Sequence, residues 1–260
     1  MEYFWMYSEK VNELGLDIGF ELFSAGHIIW LIAIAIGIDL MCRHYVRLDD
    51  AGRDRVRKRF AWGFPIAEII KDIVLYFSGA NLLHFLPLHL CGLGLICALI
   101  DYYLPNNKLF GQMFAYAFGP GAVAALLFCN WSALPILLCF QSIFSFLIHG
   151  AIVCFVLMRL LSGEIVPTYK GLWKTALALI IIAVPVYLVD MLLGQNYMFI
   201  YKVQENSPLV MIWSIFGTRF GQAGYLAGYA LLALIVFHVL YLVYGLLGFR
   251  NPDRRIKAKH

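Results

Sequence analysis

The chain has 260 residues, of which 62% are hydrophobic and only 14% are charged, and its mean hydropathy is +0.78. These values exclude a soluble globular domain and predict a polytopic membrane protein. Because lipid offers no hydrogen-bond partners to the backbone, the chain is expected to be all-α. Its net charge of +4 comes from basic runs without interleaved stacking aromatics, which argues against nucleic acid as a partner and for contact with membrane lipids.

Seven apolar segments follow one another along the chain, each near the length of about 20 residues that crosses a bilayer as a helix. In chain order they are 25–42, 61–78, 84–103, 112–129, 134–161, 172–193 and 223–247. The fourth is expected to be broken at Gly119-Pro120-Gly121. The second contains Glu68, Lys71 and Asp72, whose spacing predicts an ion pair within the helix. The sequence therefore predicts one integral membrane domain over 1–260, a bundle of about seven helices.

Basic residues are distributed unevenly between the two sides of this predicted bundle. Sixteen Lys and Arg residues fall in or beside segments 43–60, 249–260 and the other loops of that side, against three on the opposite side. The positive-inside rule then predicts a multi-pass protein of the cell membrane, with an external N-terminal segment 1–24 and a cytoplasmic tail. On the same reasoning 43–60 is a cytoplasmic loop and 194–222 is an external loop.

Ionisable residues from four predicted spans fall at similar depth in the external half of the membrane. They are His27 in the first span, Asp72 in the second, His89 in the third and Asp190 in the sixth. Because a charged group costs several kcal/mol in hydrocarbon, such groups usually face a bundle interior or a wet cavity and act there. His27 and Asp72 are therefore candidate binding residues. Hydrogen bonds between helices are the alternative explanation for the same layer.

The third span begins with the stretch HFLPLHLCGLGL, residues 84–95, which contains His89 and Cys91. On a continuous helix these two side chains point about 200° apart, so Cys91 is expected to take any partner from another helix. Pro87 weakens this conclusion, because it favours a kink in the segment. The six cysteines of the chain include no CxxC pair, so no zinc site or disulfide framework is predicted and no cofactor is expected.

The segment after the sixth span, GQNYMFIYKVQENSPL at 194–209, combines polar residues with a run of aromatic ones. One interpretation is a cover over the external mouth of the bundle, with Asn196 and Tyr197 as binding residues. The other is an aromatic belt that anchors the loop at headgroup depth. His149 in the fifth span has no neighbouring ligand in the sequence. That isolation favours packing over metal binding, and His149 is retained as a candidate binding residue.

Four spaced motifs resemble one family over nearly the whole chain. They are His27 at the start of the first span, LPLHLC at 86–91 in the third, His149 in the fifth and NYMF at 196–199 after the sixth. This combination resembles the YwaF-like bacterial integral membrane proteins, which are related to the animal transmembrane protein 164 family. The animal relatives are described as phospholipid acyltransferases, so the resemblance implies a phospholipid substrate.

The animal relatives place a cysteine immediately before the histidine of the third span, and Leu88 occupies that position here. The resemblance then implies one of two routes for acyl transfer or hydrolysis. Either His89 acts as a base on a lipid hydroxyl or on water, or Cys91 is the nucleophile. Asp190 or Asp72 is expected to support the histidine. A transporter or accessory protein that binds a small molecule or ion in the same polar layer is the alternative function.

Overall fold

The computed structural model describes residues 3–129, 131–204 and 207–251, and within these ranges it is helical with no β-strand. The long helices form because each apolar run must satisfy its own backbone hydrogen bonds in lipid. In chain order the helices are α1 Ser8–Glu13, α2 Ala25–Arg47, α3 Asp50–Phe77, α4 Leu90–Tyr103, α5 Lys108–Leu127, α6 Phe140–Leu161, α7 Tyr169–Leu193 and α8 Leu209–Leu246. Two short 3-10 turns, Leu82–Phe85 and Tyr197–Phe199, lie between them.

Five of these helices, α2, α5, α6, α7 and α8, are long and apolar enough to cross a membrane. The 14-residue α4 is apolar but shorter, and α3 carries charged residues along its length. Each of the seven predicted spans overlaps one of these helices. The predicted all-α, multi-pass membrane architecture is thereby confirmed.

The third predicted span is wrong at its start. Leu82–Phe85 forms a 3-10 turn, Leu86 has extended backbone angles (φ −54°, ψ 142°), and α4 begins only after these residues. Pro87 explains the difference, because proline has no amide hydrogen and disfavours helical angles in the residue before it. His89 is the N-cap of α4 and Cys91 lies in its first turn. The angular argument that separated these two side chains therefore does not apply.

The expected break at Gly119-Pro120-Gly121 is also wrong, because α5 runs through this motif. Just before the motif the helix widens into a π turn, in which hydrogen bonds span five residues. In that register the Ala115 carbonyl would receive its hydrogen bond from Pro120, which has no amide hydrogen. The Tyr244 hydroxyl of α8 donates to the Ala115 carbonyl instead, at 2.6 Å. The missing backbone bond is thus replaced by a side chain.

α8 consists of two antiparallel arms, because the chain reverses at Gly221. Gly221 has φ 62° and ψ −149°, a conformation that is strained for any residue with a side chain. A Cβ at Gly224 or Gly228 of the second arm would collide with Phe216 of the first, so these glycines let the arms pack closely. The segment 194–222, which was predicted as a loop, therefore contains a helical arm.

Ion pairs join the helices at the end of the bundle where α2 meets α3, which we call the basic end. Arg159 of α6 binds Asp101 of α4 with an Nη1–Oδ2 distance of 2.7 Å, and both side chains are buried. Glu164, which follows α6, accepts a hydrogen bond from the Tyr45 hydroxyl of α2 at 2.7 Å. The same carboxylate lies 3.5 Å from Arg57 of α3. Four helices are thereby tied together at this end.

Candidate functional site

Polar side chains from three helices lie close enough to interact electrostatically towards the opposite end of the bundle, and we call them the polar cluster. Its members are Glu68, Lys71 and Asp72 from α3, His89 and Cys91 from the start of α4, and His149 from α6. Lys71 binds Glu68 and lies 3.2 Å from an Asp72 carboxylate oxygen, so the ion pair predicted within this helix is confirmed. The Lys71 ammonium also lies 5.8 Å and 5.9 Å from the ring centroids of Phe85 and Phe144.

Electrostatic interactions link the members of the polar cluster across helices. Lys71 and His149 act on the His89 imidazole, and Glu68 and Lys71 act on the Cys91 thiol. Lys71 is therefore the group that the histidine and the cysteine share. In the part of the chain that the structure describes, no group of three or more His, Cys, Asp or Glu side chains is arranged to hold a metal ion.

His89 packs its ring against residues 196–202, which we call the NYMF segment. Its ring centroid is 5.4 Å from that of Tyr197, edge-on, and 5.6 Å from that of Phe199. Within residues 3–129, 131–204 and 207–251, no group hydrogen-bonds either ring nitrogen of His89. Neither Asp72 nor Asp190 contacts the imidazole in this way. Both nitrogens are therefore available to a substrate or to a transferred proton.

Cys91 lies in the first turn of α4, two residues after His89. Its thiol is close to the amide hydrogens of Gly92 and of Cys91 itself, which form the positive end of the helix dipole. This position stabilises a thiolate, whereas burial in apolar surroundings opposes its formation. A nucleophilic Cys91 therefore needs a neighbouring proton acceptor.

His149 is held in one orientation by two contacts. Its Nδ1–H donates to the Ser145 carbonyl at 2.7 Å, since a carbonyl oxygen can only accept. Its ring stacks on that of Trp131, with centroids 5.2 Å apart and an interplanar angle of 17°. Nε2 is thereby left as a hydrogen-bond acceptor. A histidine that is isolated in the sequence thus joins the polar cluster through the packing of α6 against α3 and α4.

Asp190, near the end of α7, supports the NYMF segment. It is fully buried, and one carboxylate oxygen accepts a hydrogen bond from the Tyr197 amide at 2.7 Å. The second oxygen has no hydrogen-bond partner among the described residues. Among the described residues, Asp190 is linked to His89 through Tyr197, whose ring contacts the imidazole. Asp190 therefore contacts the NYMF segment and not the imidazole itself.

The Asn196 side chain forms hydrogen bonds within the NYMF segment. Its Oδ1 accepts hydrogen bonds from the Tyr201 and Lys202 amides at 3.2 and 2.9 Å. Its Nδ2 donates to the Lys202 carbonyl at 2.9 Å. Met198 and Phe199 adopt φ angles of 55° and 57°, left-handed conformations that cost free energy in residues with side chains. The segment therefore keeps a strained shape that other contacts must maintain.

Side chains of α8 hold the NYMF segment in this shape. They donate to three successive carbonyls at 2.6, 2.7 and 3.2 Å, and the pairs are Gln222 to Ile200, Tyr225 to Phe199 and Tyr229 to Met198. Their spacing of three and four residues places them on one helix face. That spacing is the only sign of these residues in the sequence, because their partners are backbone carbonyls of a distant loop.

The model of the TMEM164 family matches residues 22–244, which include the whole polar cluster and the NYMF segment. This chain belongs to the TMEM164 family. The predicted relation to that family is confirmed. No curated protein and no solved structure matches the chain.

In this TMEM164-family chain His27 lies outside the polar cluster. It is fully buried, and its Nδ1 accepts a hydrogen bond from the Phe23 amide at 2.9 Å. Its Nε2 donates to the Leu126 carbonyl at 2.8 Å, and the Cys129 sulfur lies 3.6 Å from the same nitrogen. Because both ring nitrogens are occupied, these contacts give His27 a structural position that links α2 to the end of α5.

An apolar groove of about 440 Å³ between α3 and α6 ends beside the polar cluster of this TMEM164-family chain. Gly63 of α3 and Ala151 of α6 line it and leave it open, because their side chains are small. One end is formed by Phe144, whose ring lies 5.9 Å from the Lys71 ammonium. The charged residue of the groove, Arg59, lies towards the basic end. The groove has the apolar character that an acyl chain requires.

Proposed function

We propose that this TMEM164-family protein is a membrane enzyme that transfers or hydrolyses acyl groups of phospholipids at the polar cluster. The observation that carries the proposal is the position of His89. Its ring nitrogens have no hydrogen-bond partner among the described residues, and it is the N-cap of α4, two residues before Cys91. The apolar groove beside Phe144 supports a lipid substrate, because an acyl chain needs an apolar channel that leads to the reacting ester.

The proposed reaction begins when a His89 ring nitrogen accepts the Cys91 thiol proton and the sulfur attacks the ester carbonyl carbon of a phospholipid. The ester C–O bond then breaks, and the departing lysophospholipid oxygen takes the proton from His89. This leaves the acyl group on Cys91 as a thioester. Water or a lipid hydroxyl attacks the thioester while His89 accepts its proton. The sulfur departs and regains that proton, which gives a fatty acid or a new ester.

Cys91→Ser is expected to lower the rate of acyl transfer or release by about a hundredfold, because a serine hydroxyl is a much weaker nucleophile than a thiolate. The measurement is lipid mass spectrometry of proteoliposomes that contain purified protein and defined phospholipids. Cys97→Ser is the matched control, since Cys97 is a buried cysteine of the same helix outside the polar cluster. Full activity of Cys91→Ser would eliminate the thioester route and leave His89 acting directly on water or a hydroxyl.

A transporter is the second candidate function, and one observation favours it. The second carboxylate oxygen of Asp190 is buried without a hydrogen-bond partner among the described residues, and a bound cation would satisfy it. The same proteoliposomes distinguish the two functions. If the wild-type protein takes up a cation, Asp190→Asn does not, and the acyl chains of the phospholipids stay unchanged, the protein is a transporter and not an acyl-transfer enzyme.

We further propose that the chain is a YwaF-like member of its family and lies in the cell membrane with the basic end in the cytoplasm. The four spaced motifs support the first point, and the sixteen-to-three distribution of basic residues supports the second. Single cysteines at the exposed positions Arg55 and Lys202 test the orientation with a membrane-impermeant maleimide. We expect Lys202→Cys to react in intact cells and Arg55→Cys to react only after permeabilisation. The reverse result would place the polar cluster in the cytoplasmic half.

A further inference from the structure

A second concave site lies at the basic end, away from the polar cluster. It is a pocket of about 480 Å³ between the N-terminus of α7 and the C-terminus of α8. Its polar lining comes from five residues, Thr168, Tyr169, Tyr241, Arg250 and Asn251. An open surface pocket with several convergent polar groups is a candidate small-ligand site.

Arg250 supplies the positive charge of this pocket and is held in a defined position. Its guanidinium carbon lies 4.4 Å from the centroid of the Tyr241 ring, a cation–π contact. The guanidinium also lies directly against Gly245, where any Cβ would collide with Nη2. Among the described residues no carboxylate forms an ion pair with Arg250. A stacked guanidinium without an ion-pair partner among the described residues is suited to binding an anion.

The facing wall of the pocket is fixed by hydrogen bonds. Gln112 of α5 donates to the Val166 carbonyl and accepts from the Thr168 amide, both at 2.9 Å. The Tyr169 hydroxyl lies 3.4 Å from Nε2 of His238. The first turn of the 25-residue α7 follows this wall and contains no acidic residue. The amide groups at this helix start add positive potential to that of Arg250.

We propose that this pocket binds a phosphate-bearing anion through the guanidinium of Arg250. The planar fork of a guanidinium matches two phosphate oxygens, and the tyrosine and asparagine side chains supply further polar groups around it. Two molecules could supply this phosphate group. One is an anionic phospholipid of the adjoining leaflet, through its headgroup, and the other is free inorganic phosphate. The proposal is independent of acyl chemistry, because the pocket and the polar cluster lie at different ends of the bundle.

The lipid arm of the test uses purified full-length protein in detergent micelles with added phosphatidylglycerol or phosphatidylcholine, and native mass spectrometry measures retained lipid. We expect Arg250→Gln to bind phosphatidylglycerol about tenfold more weakly than wild type, the loss of roughly one charge-assisted contact. Phosphatidylcholine, whose choline offsets the phosphate charge, is expected to bind weakly to both. Arg47→Gln is the matched control, because Arg47 is exposed at the same end and outside the pocket.

The second arm measures thermal unfolding of the same proteins with and without inorganic phosphate. Stabilisation by phosphate that depends on Arg250, without Arg250-dependent lipid retention, identifies free phosphate as the ligand. Arg250-dependent retention of phosphatidylglycerol identifies the lipid headgroup. Equal binding of both probes by wild type and Arg250→Gln would overturn the proposal. Should Arg250→Gln fail to fold, Arg250→Lys keeps the charge but loses the fork, and unchanged binding by that variant would overturn the guanidinium contact.

Discussion

His89→Gln is expected to lower acyl transfer and hydrolysis by about two to four orders of magnitude, the usual contribution of a general base. Glutamine can form a hydrogen bond, but it cannot take up and return a proton near neutral pH. Stability is expected to stay close to wild type, because the His89 nitrogens have no hydrogen-bond partner to lose among the described residues. Lipid mass spectrometry and thermal unfolding on the same preparation measure the two quantities.

His238→Gln is the matched control for this substitution. His238 lies on α8, where its Nδ1–H donates to the Leu234 carbonyl at 2.8 Å and its Nε2 accepts from the Tyr169 hydroxyl at 3.4 Å. We expect this variant to retain full activity. His149→Gln tests the second imidazole, since a loss equal to that of His89→Gln would make His149 part of the proton path. An active His89→Gln enzyme would exclude His89 as the base.

The helices themselves were predictable because the information that specifies them is local. An apolar run of sufficient length in lipid has no alternative to a helix that satisfies its own backbone. The ion pair among Glu68, Lys71 and Asp72 was predictable for the same reason, since residues three and four apart share a helix face.

The ends and interruptions of helices depend on distant contacts and were not predictable. Pro87 precedes the start of α4, whereas Pro120 lies inside α5, although both are prolines in apolar segments. The difference is the Tyr244 hydroxyl, which donates to the carbonyl of Ala115 across 129 residues of sequence. A rule about proline alone cannot distinguish these two positions.

The polar cluster was predictable only in part, because depth in the membrane gives no information about direction around a helix axis. His27, Asp72 and His89 were placed at one level, yet His27 is bonded to the Leu126 carbonyl and lies outside the cluster. His149 belongs to the cluster through helix packing that the sequence does not specify. Which helices become neighbours depends on many weak contacts between residues far apart in the chain.

Asp101→Asn is expected to lower the free energy of unfolding by about 3 to 5 kcal/mol, the usual cost of leaving one partner of a buried ion pair uncompensated. The Arg159 guanidinium lies 2.7 Å from Asp101 and 5.0 Å from the Phe155 ring centroid, so it is enclosed by its neighbours. Glu164 lies 3.6 Å from Arg159, beyond hydrogen-bond distance, and it also accepts from Tyr45 and pairs with Arg57, so it compensates only part of the lost charge. Denaturant or thermal unfolding in micelles measures the loss.

The exposed pair of Asp39 and Arg43 separates the effect of burial from that of distance. Its atoms are 2.8 Å apart, almost as close as those of the buried pair, but its side chains are 57% and 68% exposed. Asp39→Asn is therefore expected to cost less than about 1 kcal/mol. Replacing both buried charges, with Asp101→Leu and Arg159→Met together, is expected to restore most of the lost stability. An Asp101→Asn protein no less stable than Asp39→Asn would contradict the prediction and mean that water or the Glu164 carboxylate compensates the Arg159 guanidinium.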